Sequence, residues 1–230
     1  MSRLRIAEIF ESVQGEGGLV GMPSVFVRVS GCNLRCHWCD TPYASWDPTG
    51  PVLELDSILE QVCGFPSRYV VLTGGEPMLF DPIVALASEL KARGFQITIE
   101  TAGTVMRELD CDLMSISPKL ANSTPEGPWR IRHEQTRFQP DVVRDLIGRY
   151  DYQLKFVVAP ETQEADVIEI ESTLRLLGDV EPGKVMLMPE GVESSRLTEG
   201  MRALVPLCIA RGWRLSPRMH IELFGNTMGT

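Results

Sequence analysis

Between residues 25 and 210 the chain changes its hydrophobic period repeatedly: short apolar runs give way to stretches in which apolar residues recur every three or four positions. The runs at 25–30, 69–73, 95–101, 112–117, 152–158 and 185–189 read as strands, and 55–63, 81–93, 139–149, 161–177 and 194–210 as helices. Strands and helices that alternate with right-handed crossovers form a parallel sheet flanked by helices. About six core strands fall short of the eight in a complete barrel, so the expected fold class is α/β, a partial, open (β/α)6-type barrel. Alternation at 4–10, followed by a Gly-rich connection at 11–18, predicts an N-terminal strand or hairpin extension. No linker divides the 230 residues, which predicts a single domain over 1–230. Within it, residues of about 120–136 read as a flexible loop and about 217–230 as a C-terminal tail.

Composition removes several classes of function. Residues are 43% hydrophobic, enough for a sizeable core, yet no apolar run approaches the ~18 residues of a membrane span. Residues 1–5 lead directly into a strand-like run, without the apolar stretch of a secretory signal, so a cytoplasmic protein is expected. A net charge of -9 offers no basic footprint for nucleic acid or an anionic membrane. Six cysteines are too sparse for a disulfide scaffold, and Cys63, Cys111 and Cys208, each alone in an apolar setting, read as small buried core residues.

The other three cysteines, Cys32, Cys36 and Cys39, stand at C-x₃-C-x₂-C spacing in a short loop. Three thiolates that close in sequence point to a metal site, and a structural zinc site or an electron-transfer cluster would want a fourth ligand. Three leave one position open for a small molecule. A zinc knuckle completed by His37 or by a distant residue is the alternative.

Cys32, Cys36 and Cys39, followed by Gly74-Gly75-Glu76-Pro77, resemble the radical S-adenosylmethionine (SAM) superfamily. The resemblance implies a 4Fe-4S cluster on the three thiolates, with SAM on the open iron. It also places the Gly-Gly-Glu-Pro turn beside the methionine part of SAM, where glycines let backbone approach and Glu76 can accept from the amino group. A narrower resemblance, over nearly the whole chain, is to the 7-carboxy-7-deazaguanine synthase family. It rests on Gln14-Gly15-Glu16-Gly17, Arg28, Asp40-Thr41 after the last cysteine, Thr73 before the glycines, Glu100-Thr101 with Gly103, Ser117-Pro118-Lys119 and Gln153-Leu154-Lys155-Phe156. That family converts 6-carboxy-5,6,7,8-tetrahydropterin to 7-carboxy-7-deazaguanine and ammonia in queuosine biosynthesis. It is a carbon-nitrogen lyase that uses a radical from SAM, with Mg²⁺ assisting.

Carried over residue by residue, the resemblance implies Thr41 as a Mg²⁺ ligand. It implies contact with SAM at Trp38, Cys39, Asp40, Gly75, Glu76 and Glu100, and at the Ser117-Pro118-Lys119 and Gln153-Leu154-Lys155-Phe156 segments. Val13, Gln14, Gly15, Glu16, Arg28, Thr73 and His220 would meet the pterin. No side chain is expected to act as acid or base. The chemistry of these residues agrees: Gln14 and Glu16 carry donors and acceptors matching an amino-pyrimidinone edge, and Arg28 can hold a carboxylate through paired charge-assisted bonds. Taken alone, Lys119 and Lys155 would be solvated charges and Thr41 a loop hydroxyl bonded to its own backbone. His37 and His133 show no pattern suggesting a role, and whether Thr230 reaches the site is open. The resemblance further implies a flavodoxin or ferredoxin as electron donor and a homodimer. Two other readings stand beside it: a glycyl-radical-enzyme activase, and a metal-binding regulatory module without catalysis.

Overall fold

The computed structural model describes residues 2–230. Its nine strands form one sheet: β1 (Arg3–Val13), β2 (Pro23–Val29), β3 (Val52–Glu54), β4 (Tyr69–Gly74), β5 (Gln96–Thr101), β6 (Leu113–Ile116), β7 (Tyr152–Val158), β8 (Val185–Pro189) and β9 (Arg214–Leu215). Their spatial order is β3-β1-β2-β4-β5-β6-β7-β8-β9. From β2 to β9 every pairing is parallel, whereas β1 runs antiparallel to both β2 and β3. The six long parallel strands and the N-terminal hairpin are those expected, and the sheet stays open because β3 and β9 end it without pairing each other.

Helices α1 (Pro42–Ser45), α2 (Leu55–Cys63), α3 (Pro82–Ala92), α4 (Arg130–Thr136), α5 (Pro140–Arg149), α6 (Gln163–Leu177), α7 (Ser194–Arg211) and α8 (Met219–Phe224) fill the connections. Proline at the first turn starts α3 and α5, where its missing N–H costs nothing. Left-handed Gly212 ends α7.

Alternation along the parallel strands decides where the site lies. Val25, Val27 and Val29 of β2, Val70 and Leu72 of β4, and Ile97 and Ile99 of β5 point to one face and pack in the hydrophobic core. Met114 and Ile116, Leu154 and Phe156, and Val185 and Leu187 continue that layer along β6, β7 and β8. The intervening residues face the other way: Arg28, Thr73, Glu100, Ser115 and Lys155 line a cavity of about 450 Å³ on the concave side. Chemistry therefore occupies the inner face of the sheet as well as the strand ends.

Three expectations change. Strand β1 runs to Val13, beyond the predicted end at 10, because Ser12 and Val13 keep pairing with Ser24 and Pro23. The turn it enters is closed by Gln14 N donating to Met22 O at 2.8 Å and Gly21 N to Gln14 O at 2.8 Å. Residues 120–136 are no open loop: two 3-10 turns lead into α4, whose His133 is 1% exposed. Of the three isolated cysteines only Cys208 is buried; Cys63 is exposed and Cys111 half-buried. Cys63 closes α2 away from Ile58, Leu59 and Val62, which carry that helix's buried face.

Candidate active site

The strand-to-loop crossing at the end of β2 builds one wall of the cavity. Gly31 N donates to Ala44 O at 2.6 Å and Glu76 N to Gly31 O at 2.9 Å, tying the cysteine loop to α1 and to the turn after β4. Gly75 has to be glycine, since a Cβ there would meet Gly31 O at 2.2 Å and Ala44 O at 2.9 Å. Cys32, Cys36 and Cys39 are free thiols that line the same cavity. Leu34 N lies 3.4 Å from the Cys32 sulfur, donating to it. Burial pushes the Cys32 thiol up to about 11 and the Cys36 thiol up to about 12, so each stays protonated until a metal takes the proton's place. Among the described residues no three His, Cys, Asp or Glu side chains close round a single ion. Three free thiols on one cavity wall supply the all-thiolate donor set that an iron-sulfur cluster takes. His37 is exposed, and its Nε2 donates to Asn122 O at 2.7 Å, which takes that nitrogen away from any zinc knuckle.

The opposite wall carries paired charges. Lys155, 3% exposed, reaches Glu16 Oε2 at 2.7 Å and Glu100 Oε1 at 3.7 Å. Arg218 holds Glu16 Oε1 at 3.2 Å, donates to Gly191 O at 2.6 Å and pairs with Asp40. Burial alone would raise the Glu16 pKa, but the Lys155 and Arg218 cations outweigh it and hold the carboxyl well below its usual range. Gln14 accepts from Glu16 N at 3.1 Å and donates to Glu100 Oε1 at 3.2 Å, while Thr73 donates to Glu100 Oε2 at 2.9 Å. Arg28 pairs with Glu8 at 2.5 Å, and Tyr43 donates to the same Glu8 oxygen at 2.7 Å. The cavity thus holds Arg28, Lys119, Lys155 and Arg218 against Glu8, Glu16, Asp40, Glu100 and Glu190, cations and carboxylates interleaved with room between them.

Most residues singled out in the sequence come together here. Val13, Gln14, Gly15, Glu16, Arg28, Thr73 and His220 line the cavity, as do Trp38, Asp40, Thr41, Gly75, Glu100, Ser117, Lys119 and Lys155. Thr41 Oγ1 lies 3.9 Å from the Cys39 sulfur. Five expected SAM contacts lie elsewhere. Glu76 is fully buried behind the wall, accepting from Met78 N at 3.1 Å, Thr101 Oγ1 at 2.8 Å and Ala102 N at 2.8 Å, so it braces the turn instead of facing a ligand's amino group. Leu154 and Phe156 point into the core, one residue out of phase with Lys155. Pro118 is buried off the cavity. Gln153 faces inward but is spent on Ser115 Oγ at 2.9 Å and Gly18 N at 2.8 Å, fixing the Gly-rich turn from below.

The sequence reading missed Glu8, Tyr43 and Arg218. The only signal for Glu8 was a charge in a half-buried strand, and for Arg218 its place two residues before His220. The C-terminal tail folds over the cavity: Asn226, Thr227, Met228 and Thr230 line it, and Gly229 N donates to Glu8 Oε2 at 2.9 Å.

With this geometry in place, comparison with known proteins is decisive. A model of the radical SAM superfamily matches residues 26–153. A 7-carboxy-7-deazaguanine synthase of Halobacterium salinarum is 43% identical over 99% of this chain and 93% of its own length. That of Rhodopirellula baltica is 42% identical over 100% and 90%. The chain belongs to the 7-carboxy-7-deazaguanine synthase family of radical SAM enzymes. The crystal structure of QueE from Escherichia coli covers 95% of each chain with a TM-score of 0.69 at 26% identity, so the family's backbone is kept where its sequence has drifted. Membership sets aside both the regulatory module and the glycyl-radical-enzyme activase.

Glycine between Gln14 and Glu16 has a steric reason in this chain. A Cβ on Gly15 would stand 2.0 Å from His220 Nδ1 and 2.9 Å from His220 N, so Gly15→Ala has to push ring and backbone together. The expected result is a stability loss of about 1–3 kcal/mol with a larger loss of substrate affinity, checked by calorimetry and by KM.

Proposed function

We propose that this chain, acting as a single radical SAM domain, contracts the ring of 6-carboxy-5,6,7,8-tetrahydropterin to 7-carboxy-7-deazaguanine with loss of ammonia. One observation carries the reading: three free thiols and the Gln14–Glu16 turn share one cavity lined by interleaved cations and carboxylates. Cys32, Cys36 and Cys39 would hold a 4Fe-4S cluster, and the Gly74–Gly75 backbone would pass the methionine end of SAM. When bound and reduced, the cluster and SAM supply a 5′-deoxyadenosyl radical for hydrogen removal at C6 of the pterin.

The protein's share is binding, orientation and exclusion of water. Gln14 and Glu16, set by Lys155, Glu100 and Arg218, present fixed acceptors and donors to the amino-pyrimidinone edge. Lys155 and Arg218 keep Glu16 ionised, so it can only accept, which suits the pterin's N–H groups. Arg28 spends its Nε on Glu8; among the described residues its two terminal nitrogens have no other hydrogen-bond partner and can meet the 6-carboxylate side by side. Thr41 would give its hydroxyl to a Mg²⁺ ion, which would supply positive charge beside the substrate. The tail from Asn226 to Thr230 covers the site and limits water around a reactive radical.

A flavodoxin or ferredoxin would supply the electron, a homodimer is the expected assembly, and the cytoplasm the expected compartment. Among the described residues no helix is long and apolar enough to cross a membrane. The reading is tested by anaerobic incubation of the reconstituted protein with SAM, Mg²⁺ and carboxytetrahydropterin. Mass detection of 7-carboxy-7-deazaguanine supports it, and SAM cleavage without that product overturns it. Arg28→Ala should weaken substrate binding by roughly 2–5 kcal/mol and leave SAM affinity nearly unchanged. Equilibrium dialysis with each ligand separates the two effects.

A further inference from the structure

The segment 120–136 does something its composition hides: it grips the cysteine loop from behind. Asn122 O accepts from Trp38 Nε1 at 3.0 Å and from His37 Nε2 at 2.7 Å, and Ser123 O accepts from His37 N at 3.0 Å. Asn122 is itself anchored, donating to Val157 O at 2.9 Å and to Asp166 Oδ2 at 2.8 Å. Between Cys32 and Cys36 the loop makes one more such contact, from Arg35 N to His133 Nδ1 at 3.1 Å.

The bonding around His133 admits only one tautomer. The Ser123 hydroxyl donates its one proton to Leu120 O at 2.6 Å, so at 2.9 Å it can only accept from His133 Nε2. Nε2 therefore carries the ring proton, and Nδ1 is left as a bare acceptor aimed at the Arg35 amide. That amide sits in a loop with little regular structure, and the imidazole gives it a partner that backbone pairing does not. The ring is 1% exposed and lies in none of the cavity lining, so it touches neither substrate nor cofactor. The guanidinium of Arg35 stacks on Trp129 at 4.4 Å from the ring centroid, so the same segment holds both ends of that residue.

We infer that His133 is a positioning residue which, locked by Ser123, fixes the Arg35 amide and so sets the spacing of Cys32 and Cys36. A loop already held in shape takes up a cluster without having to order itself first, and keeps its sulfurs in one electrostatic setting. The inference rests on Cys32 and Cys36 being cluster ligands, but its first test does not use the cluster.

In cluster-free protein, His133→Leu should speed hydrogen exchange at the Arg35 amide by about tenfold, and His133→Asn, whose side-chain oxygen falls near Nδ1, should restore protection. In reconstituted protein the leucine variant should lose iron to a chelator about tenfold faster and show a shifted electron paramagnetic resonance spectrum, with the asparagine variant again close to wild type. Unchanged Arg35 exchange in the leucine variant overturns the inference. So does a variant that melts lower yet keeps the wild-type spectrum and iron-loss rate, because that marks a purely structural histidine. Should the leucine variant not fold, Ser123→Ala frees the ring and carries the same exchange measurement, with unchanged protection counting against the inference. If exchange responds but no variant binds iron, the cysteine assignment fails and the grip on the loop stands.

Discussion

Cys36→Ala is expected to reduce 5′-deoxyadenosine formation below detection while leaving the fold in place. The sulfur lies in a mostly buried side chain at the cavity wall, and its removal deletes one thiolate from a set of three without opening a large void. The stability cost should be about 1 kcal/mol, whereas the chemical cost is total, because a cluster short of a protein ligand cannot stay in place to cleave SAM. Cys208→Ala is the control. That thiol is equally buried but packs in the core beneath α7, so the substitution should lower the melting temperature slightly and leave SAM cleavage unchanged. Iron content, 5′-deoxyadenosine yield and calorimetry on the two variants separate a ligand from a packing residue. Retained cleavage in Cys36→Ala would sink the assignment.

The second large effect is expected at Lys155. Its ammonium is enclosed between Glu16 and Glu100, and Lys155→Ala leaves two inward carboxylates short of a partner in a poorly solvated site. Breaking a buried pair from one side costs about 3–5 kcal/mol. Arg218 still reaches Glu16, so the lower half of that range is expected. The pH dependence gives a second measurement. Because the folded protein holds Glu16 below the unfolded carboxyl's range, its contribution to stability is present above about pH 4.3 and is lost as the pH falls below it toward the depressed folded value. Removing Lys155 raises that folded value, so stability in the variant should decline less steeply with acid than in the wild type. Denaturant melts between about pH 5 and pH 3 would show it; parallel curves would mean Lys155 does not set the Glu16 charge.

The same pair shows where local sequence information stops. Lys155 sits in a strand that is legible from periodicity, and its difference in phase from Leu154 and Phe156 follows from the alternation alone, but the family motif spans all of Gln153–Phe156 and does not separate them. The pleat sends every second residue to the helices, and a motif in one dimension does not record that. Glu76 makes the related point: a carboxylate beside two glycines reads as a ligand group, and only three donors converging from β5 and the turn identify it as a brace. The segment 120–136 resembles an open loop for a composition reason. Polar, Gly- and Pro-containing chain ordinarily goes to solvent, but here its hydrogen-bonding groups are used up on the cysteine loop and on Asp166.

The sequence by itself determined the six parallel strands, the open sheet with its N-terminal hairpin, and the three-cysteine loop, because periodicity and ligand spacing are local properties of the chain. Tertiary structure alone decided that Arg218 joins Asp40 to Glu16, that Tyr43 and Glu8 stand beside Arg28, and that His133 backs the Arg35 amide. Glu8 and Arg28, 20 residues apart, already face each other across the β1–β2 hairpin, but Arg218 and Glu16, 202 residues apart, meet only once the whole sheet is assembled. What the chain can coordinate is written in its motifs; what holds those groups still is settled by burial, where every polar atom must find a partner supplied by some other strand.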